Sequence, residues 1–165
     1  MESLQVRQGQ TIADIGSGGG YFSLEFARKV KNSGRVYAVD VNLNYLDFIK
    51  SRSKMEGLNN IIFLWATGDE LNLPEAGLDL VFLRNVFHHL PKPEQSFHNL
   101  KRFLKSTGKV AIIEYKPKSR FSFVGMFKHY TPLEVILENM EKAGYFPIAS
   151  FDFLPSQTFI LFEVK

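Results

Sequence analysis

The chain has 165 residues, 45% of them hydrophobic and 22% charged, which suits one packed core and excludes disorder for its bulk. Its net charge of +3 is spread along the sequence instead of forming a stripe, so no nucleic-acid partner is expected. It has no cysteine, hence no disulfide or thiolate chemistry, and it shows neither a signal peptide in residues 1–10 nor an apolar run of membrane-spanning length, so a cytoplasmic setting is expected.

Thr11–Ile15 is a short apolar run that ends in a glycine cluster and predicts a first strand. Between Tyr21 and Val30, the residues Phe22, Phe26, Ala27 and Val30 recur at helical spacing. Residues 35–39 form a strand-like run ending at Asp40, after the turn signal Asn32-Ser33-Gly34. Leu43, Leu46 and Ile49 predict a second helix with Asn42 as its N-cap, ended by Gly57. Residues 61–66, 78–83 and 109–115 read as the third, fourth and fifth strands. Between the last two, Pro93 opens a helix with Phe97, Leu100 and Leu104 as apolar positions, closed by a turn at Thr107-Gly108. A further helix should start at Thr131-Pro132-Leu133-Glu134, with Thr131 as N-cap, Pro132 at the first helical position and Glu134 completing a capping box. Residues 145–153 and 158–164 are two more strands, joined at Pro155-Ser156 by a turn too short for a crossover and therefore antiparallel.

This alternation predicts one α/β domain over residues 1–165. Its expected form is a Rossmann-like, mostly parallel seven-stranded sheet with helices on both faces and a C-terminal antiparallel hairpin strand.

Ligands of such sheets bind beyond the carboxyl ends of the strands. The loop after the first strand reads Asp14-Ile15-Gly16-Ser17-Gly18-Gly19-Gly20, and its glycines let a ligand approach the backbone closely. Asp40, at the end of the second strand, has the spacing at which a carboxylate meets a ribose diol. Together they predict an adenosine site. A dinucleotide fingerprint would need its third glycine where Tyr21 stands, and Asp14 would oppose a pyrophosphate. The acid suits a ligand with an ammonium and a sulfonium, which S-adenosyl-L-methionine carries.

These residues resemble the class I S-adenosylmethionine-dependent methyltransferases, and most of all the ubiquinone and menaquinone biosynthesis group (methyltransferase type 11). Residues 14–20 resemble the first motif of that family, D-x-G-x-G-x-G, and residues 36–40 its second strand. Gly68-Asp69-Glu70-Leu71-Asn72-Leu73-Pro74 resembles its G-D-A-x-x-L-P stretch, and residues 78–82 with Asn85-Val86-Phe87-His88-His89-Leu90 resemble its fourth strand and exit. The resemblance implies methyl transfer by in-line displacement, with Asp14, Gly16, Ser17, Gly18, Tyr21, Asp40, Val41, Asp69, Glu70 and Asn85 at the cofactor. Within that set it implies that Asp40 holds the ribose, Val41 lies against the adenine, Asp69 accepts from the adenine amino group, and backbone near Asn85 faces the methionyl part. Two departures are the roughly ten residues ahead of the first motif, where members carry a helical segment, and Ser17 in place of a common cysteine.

No catalytic residue is assigned. His88 and His89, at the expected pocket mouth, are candidate bases, and Glu114, ending the fifth strand, is a candidate base or substrate contact. The plainer expectation for the histidines is that one packs beneath the cofactor loop while the other is solvated. No metal is expected, because His88, His89, His98 and His129 form no ligand spacing with carboxylates. Residues 116–130 mix Lys116, Lys118, Arg120 and Lys128 with Phe121, Phe123, Phe127 and Tyr130. They are expected to cap a small-molecule acceptor that is aromatic, anionic or lipid-like, or to dock at a membrane surface, or else to pack their aromatics on the sheet. Two rival functions are a cofactor-binding scaffold without transfer activity and a dinucleotide-dependent oxidoreductase. The acceptor, its attacking atom and the oligomeric state leave no signal in the sequence.

Overall fold

The apolar runs assemble into one sheet because each is too short to bury both faces alone. The computed structural model describes residues 2–67, 71–116 and 130–165. In chain order the elements are β1 (Thr11–Ile15), α1 (Tyr21–Val30), β2 (Arg35–Asp40), α2 (Leu43–Met55), β3 (Ile61–Trp65), β4 (Leu78–Arg84), α3 (Pro93–Leu100), β5 (Leu104–Tyr115), α4 (Leu133–Lys142), β6 (Tyr145–Phe151) and β7 (Gln157–Val164). The sheet runs β3-β2-β1-β4-β5-β7-β6. Its first five strands are parallel, while β7 pairs antiparallel with both β5 and β6. The expected seven-stranded architecture with its antiparallel hairpin is therefore the one observed.

Strand periodicity sorts the core into two layers. Ile12, Val36, Leu80, Phe82 and Ala111 pack against Phe26, Ala27 and Val30 of α1. Ala13, Val81, Val110 and Ile112 pack on the other face with Phe97 and Leu100 of α3 and Ile136 and Met140 of α4. Phe22, Phe26 and Phe82 form a ring cluster with centroids 4.6–6.1 Å apart, which anchors the first turn of α1 on β4. Burial of side chains such as Phe26 and Phe82 contributes about 1.5–3 kcal/mol each.

Three local expectations need correction. Thr131 does not cap α4: Pro132 stays extended (φ −56°, ψ 146°), the helix begins at Leu133, and no side chain caps it. Thr131 thus sits one residue too early to reach the first turn, and it is buried instead. The helix after Pro93 ends at Leu100, and Leu104 is not on it but pairs with Leu78 at the start of β5. Thr107-Gly108 does not close a turn, because both residues lie within β5. There the β4–β5 register slips between Leu78 and Leu80, and Gly108 approaches the Leu78 carbonyl where a Cβ would collide.

β1 and β4 are neighbours, yet the chain moves outward from them in opposite directions. The cleft above their carboxyl ends is therefore the topological switch point, where folds of this class place a ligand.

Candidate functional site

Two loops flank the switch point, one after β1 and one after β4. The first is held in shape by its glycines and by β2. The N–H groups of Gly16 and Ser17 both donate to the Val39 carbonyl, at 2.8 and 3.0 Å. Gly16 (φ 70°), Gly18 (φ 50°) and Gly20 (φ 76°) adopt left-handed backbone. A Cβ on Gly16 would overlap Val86, and one on Gly20 would overlap Ile49, so these two glycines pack against protein. At Gly18 and Gly19 a Cβ would meet nothing within 4 Å, so this part of the loop faces open space.

Asp40 is the brace of that loop. Its Oδ2 accepts from the Gly18 N–H at 2.7 Å and its Oδ1 accepts from the Asn42 N–H at 2.9 Å. At 7% exposure it is no solvated strand-end acid. Each carboxylate oxygen carries two lone pairs, so both retain capacity for a ligand hydroxyl. Next to it, Val41 is 74% exposed and its carbonyl accepts from Trp65 Nε1 at 3.0 Å. Tyr21, at the first position of α1, also stands in the open.

Asp14 lies beneath the loop, 3% exposed, on the α1 side of the sheet. Its Oδ2 accepts from the Ser23 hydroxyl at 2.5 Å. Burial pushes the carboxyl up from its ordinary 3.8 to about 7; hydrogen bonds from Ser23 oppose this, and repulsion from Asp40 adds to it. A buried acid with so little compensation favours a cation nearby. Ser17 Oγ is buried and has no hydrogen-bond partner among the described residues.

On the other side of the cleft, Asn85 turns the chain with φ 56°. Its N–H donates to the Ile113 carbonyl at 2.8 Å and its Oδ1 accepts from Gln157 Nε2 at 2.7 Å. Phe87 stacks on Phe97 of α3 at 5.5 Å and fixes the short helical turn Phe87–His89. That turn sets His88 Nδ1 3.0 Å from Glu114 Oε1, and Glu114 is wholly buried. His89 is exposed, and its ring centroid lies 4.0 Å from that of His88.

The structure thus gathers Asp14, Gly16, Ser17, Gly18, Tyr21, Asp40 and Val41 at the first loop and its β2 brace, and brings Asn85 to the facing one. Val86 against Gly16 links the two. Asp69, Glu70 and all but the ends of the 116–130 segment lie outside the described residues. Sequence reading missed Ser23 and Gln157. Ser23 falls in step with Ala27 and Val30, a buried helical stripe on which a serine needs a polar partner, so its signal was present. Gln157 carried none, because its partner is 72 residues away.

Elsewhere, a depression of about 320 Å³ lined by Thr11, Asn32, Arg35 and Tyr37 opens at the opposite, amino ends of β1 and β2, away from every expected site residue. Among the described residues no cluster of His, Asp and Glu could hold a metal ion, and no helix is long and apolar enough to cross a membrane.

A family model described as a methyltransferase domain matches residues 13–112. The chain is 24% identical over 158 residues to the ubiquinone/menaquinone biosynthesis C-methyltransferase of Psychromonas ingrahamii, covering 92% of this chain and 63% of that protein. It is 26% identical over 161 residues to the (S)-coclaurine N-methyltransferase of Thalictrum flavum, covering 98% of this chain and 42% of that protein. The chain therefore spans about half the length of these curated relatives, between 42% and 63%. Among solved structures, a SAM dependent methyltransferase from Aquifex aeolicus superposes with a TM-score of 0.90 at 22% identity, covering 99% of this chain and 87% of that one. At that identity the likeness concerns the fold.

Proposed function

The chain belongs to the methyltransferase domain family, and from that premise we propose that it binds S-adenosylmethionine and methylates a small-molecule acceptor. The observation that carries this reading is the buried, cation-seeking Asp14 beneath a glycine loop braced by Asp40. The unpartnered Ser17 hydroxyl and the open space at Gly18 and Gly19 fit the same group. A pyrophosphate would meet two carboxylates there.

Asp14 would hold the cationic methionyl part, the remaining lone pairs of Asp40 the ribose, and Val41 with Tyr21 the open flank of the adenosine. Asp69 and Glu70 are proposed for the adenine edge from their motif, and Asn85 for the methionyl end. When bound, S-adenosylmethionine supplies a methyl group already activated on a sulfonium. The protein's task is then placement, and holding the acceptor in line at near-attack distance is worth on the order of 7–11 kcal/mol. The names of the two relatives put the methyl on carbon in one and on nitrogen in the other, so the attacking atom is set outside the cofactor loop. We place the domain over residues 1–165, since β6 and β7 complete the sheet that the family match covers, and the cysteine-free sequence suits the cytoplasm.

Side-by-side calorimetric titration with S-adenosylmethionine, S-adenosylhomocysteine and NAD tests this. Micromolar binding of the first two without the third is expected. Binding of NAD alone would overturn the proposal.

A further inference from the structure

We propose that the outer edge of β3 is the interface for a second copy of this chain, the two β3 strands pairing antiparallel about a two-fold axis at Phe63. β3 ends the sheet, and among the described residues no strand lies on its outer side. Its parallel register with β2 fixes which groups point there. The Val36 N–H donates to the Asn60 carbonyl and the Ala66 N–H to the Asp40 carbonyl, so the even-numbered residues of this stretch bond inward. Ile61, Phe63 and Trp65 therefore turn their N–H and carbonyl groups outward. Such an edge is normally blunted by a charge, a proline or a bulge. β6, at the opposite edge, carries Pro147, and its register slips between Pro147 and Ala149. β3 reads Ile61-Ile62-Phe63-Leu64-Trp65, with neither charge nor proline, and its register with β2 is unbroken.

A second copy fits because the edge is complementary to itself. Pairing about Phe63 sets that residue opposite its own copy and Ile61 opposite Trp65, so each facing pair exchanges two backbone hydrogen bonds. These side chains share the α2 face of the sheet, where Ile61 and Phe63 pack with Leu46 and Ile49. Trp65, 55% exposed in the single chain, would lie across Ile61 of the second copy, and aromatic–β-branched pairs of this kind stabilise sheets. The helices fit the same occupant. α2 faces α1 through Ile49, against Gly20, and through Glu56, bonded to Arg28. Helical spacing then puts Asp47, Lys50 and Lys54 on its outer flank. β2 and β3 are parallel, so α2 runs back between them. The two-fold thus brings the Asp47 end of one α2 beside the Lys54 end of the other, an opposite-charge match made twice.

Trp65 is the single tryptophan of the chain, so this interface carries its own probe. Sedimentation equilibrium and tryptophan emission, followed together from about 5 to about 500 µM protein, should show one monomer–dimer equilibrium and a blue shift that tracks the dimer fraction. Trp65→Lys should weaken the dimer at least tenfold while circular dichroism stays unchanged. Asp47→Lys, on exposed helix surface, should weaken it about threefold, and adding Lys54→Asp should restore it. Rescue by the swapped pair is a result that local damage to the fold would not give. A monomer at every concentration would overturn the proposal and leave the edge to a strand of a different protein. A dimer that forms without the emission shift, or that neither Trp65→Lys nor Asp47→Lys weakens, would overturn it by placing the interface on another face.

Discussion

The loops after β1 and β4 face each other across one cleft and solve the same backbone problem differently. Each must reverse direction through left-handed dihedrals at the carboxyl end of a buried strand. The first uses glycines, because at Gly16 and Gly20 a side chain would strike Val86 and Ile49. The second uses Asn85, whose side chain has room and bonds to Gln157 at 2.7 Å. Their acids differ as well. Asp14 is held by Ser23, 9 residues along, and Asp40 by the Gly18 N–H of the loop itself, whereas Glu114 meets the side chain of a histidine 26 residues away. The first loop is thus shaped by its own glycines and one strand-end acid, and the second by side chains that meet from separate strands.

The sharpest test of that contrast is Asp14→Asn. The folded pKa, about 7, lies above the ordinary 3.8, so the folded chain holds a proton that the unfolded chain releases. Stability from this group is fully present below about pH 4 and is lost as pH rises to about 7. The asparagine escapes that loss, so its advantage in urea unfolding should grow across the same window to on the order of 4 kcal/mol at about pH 8. Binding should move the other way. A cationic ligand needs the ionised acid, so wild-type affinity for S-adenosylmethionine should fall about tenfold per pH unit below about 7 and level off above it. Asp14→Asn should bind weakly with no such slope. A variant that unfolds earlier and binds normally would remove Asp14 from the ligand site.

Gly16→Ala comes next, at about 3 kcal/mol of destabilisation, the sum of left-handed strain and overpacking against Val86. Gly18→Ala adds its methyl to open space and should cost only about 1 kcal/mol while weakening the ligand. Equal melting temperatures for the two would show that the loop is not wedged against the β4 exit. Asp40→Ala should weaken S-adenosylmethionine at least tenfold, about 1.4 kcal/mol. Unchanged affinity would leave Asp40 only its bracing of Gly18.

The first loop was legible in the sequence because its parts are contiguous and each residue type serves a local need. The alternation of strands and helices and the Pro155-Ser156 turn were legible for the same reason. What escaped depends on partners far along the chain. Nothing near His88 announces Glu114, and nothing near Asn85 announces Gln157. Leu104 continues the apolar spacing of α3, and only pairing with Leu78 shows that it has entered the sheet. At Thr131 a strong local signal was overruled by a proline that stayed extended. The candidate bases were named singly from position, and their joining into one dyad is a product of the β4–β5 pairing.

The smallest expected effect bears most directly on how the two loops differ. Asn85→Gly would relieve the left-handed strain of a non-glycine residue, a gain of about 1 kcal/mol. It would also remove the acceptor for Gln157 Nε2 and leave that buried amide short of a partner, a loss of about 1 kcal/mol or slightly more. The two nearly cancel, so the free energy of unfolding should change by no more than about 0.5 kcal/mol. Stability would then say little, but S-adenosylmethionine affinity would decide the matter. If Asn85 serves only as a turn, the glycine variant binds as the wild type does. If its bond to Gln157 aims backbone groups at the ligand, affinity falls while the melting temperature holds. That outcome would mean the second loop uses a side chain to fix the geometry that the first obtains from glycine.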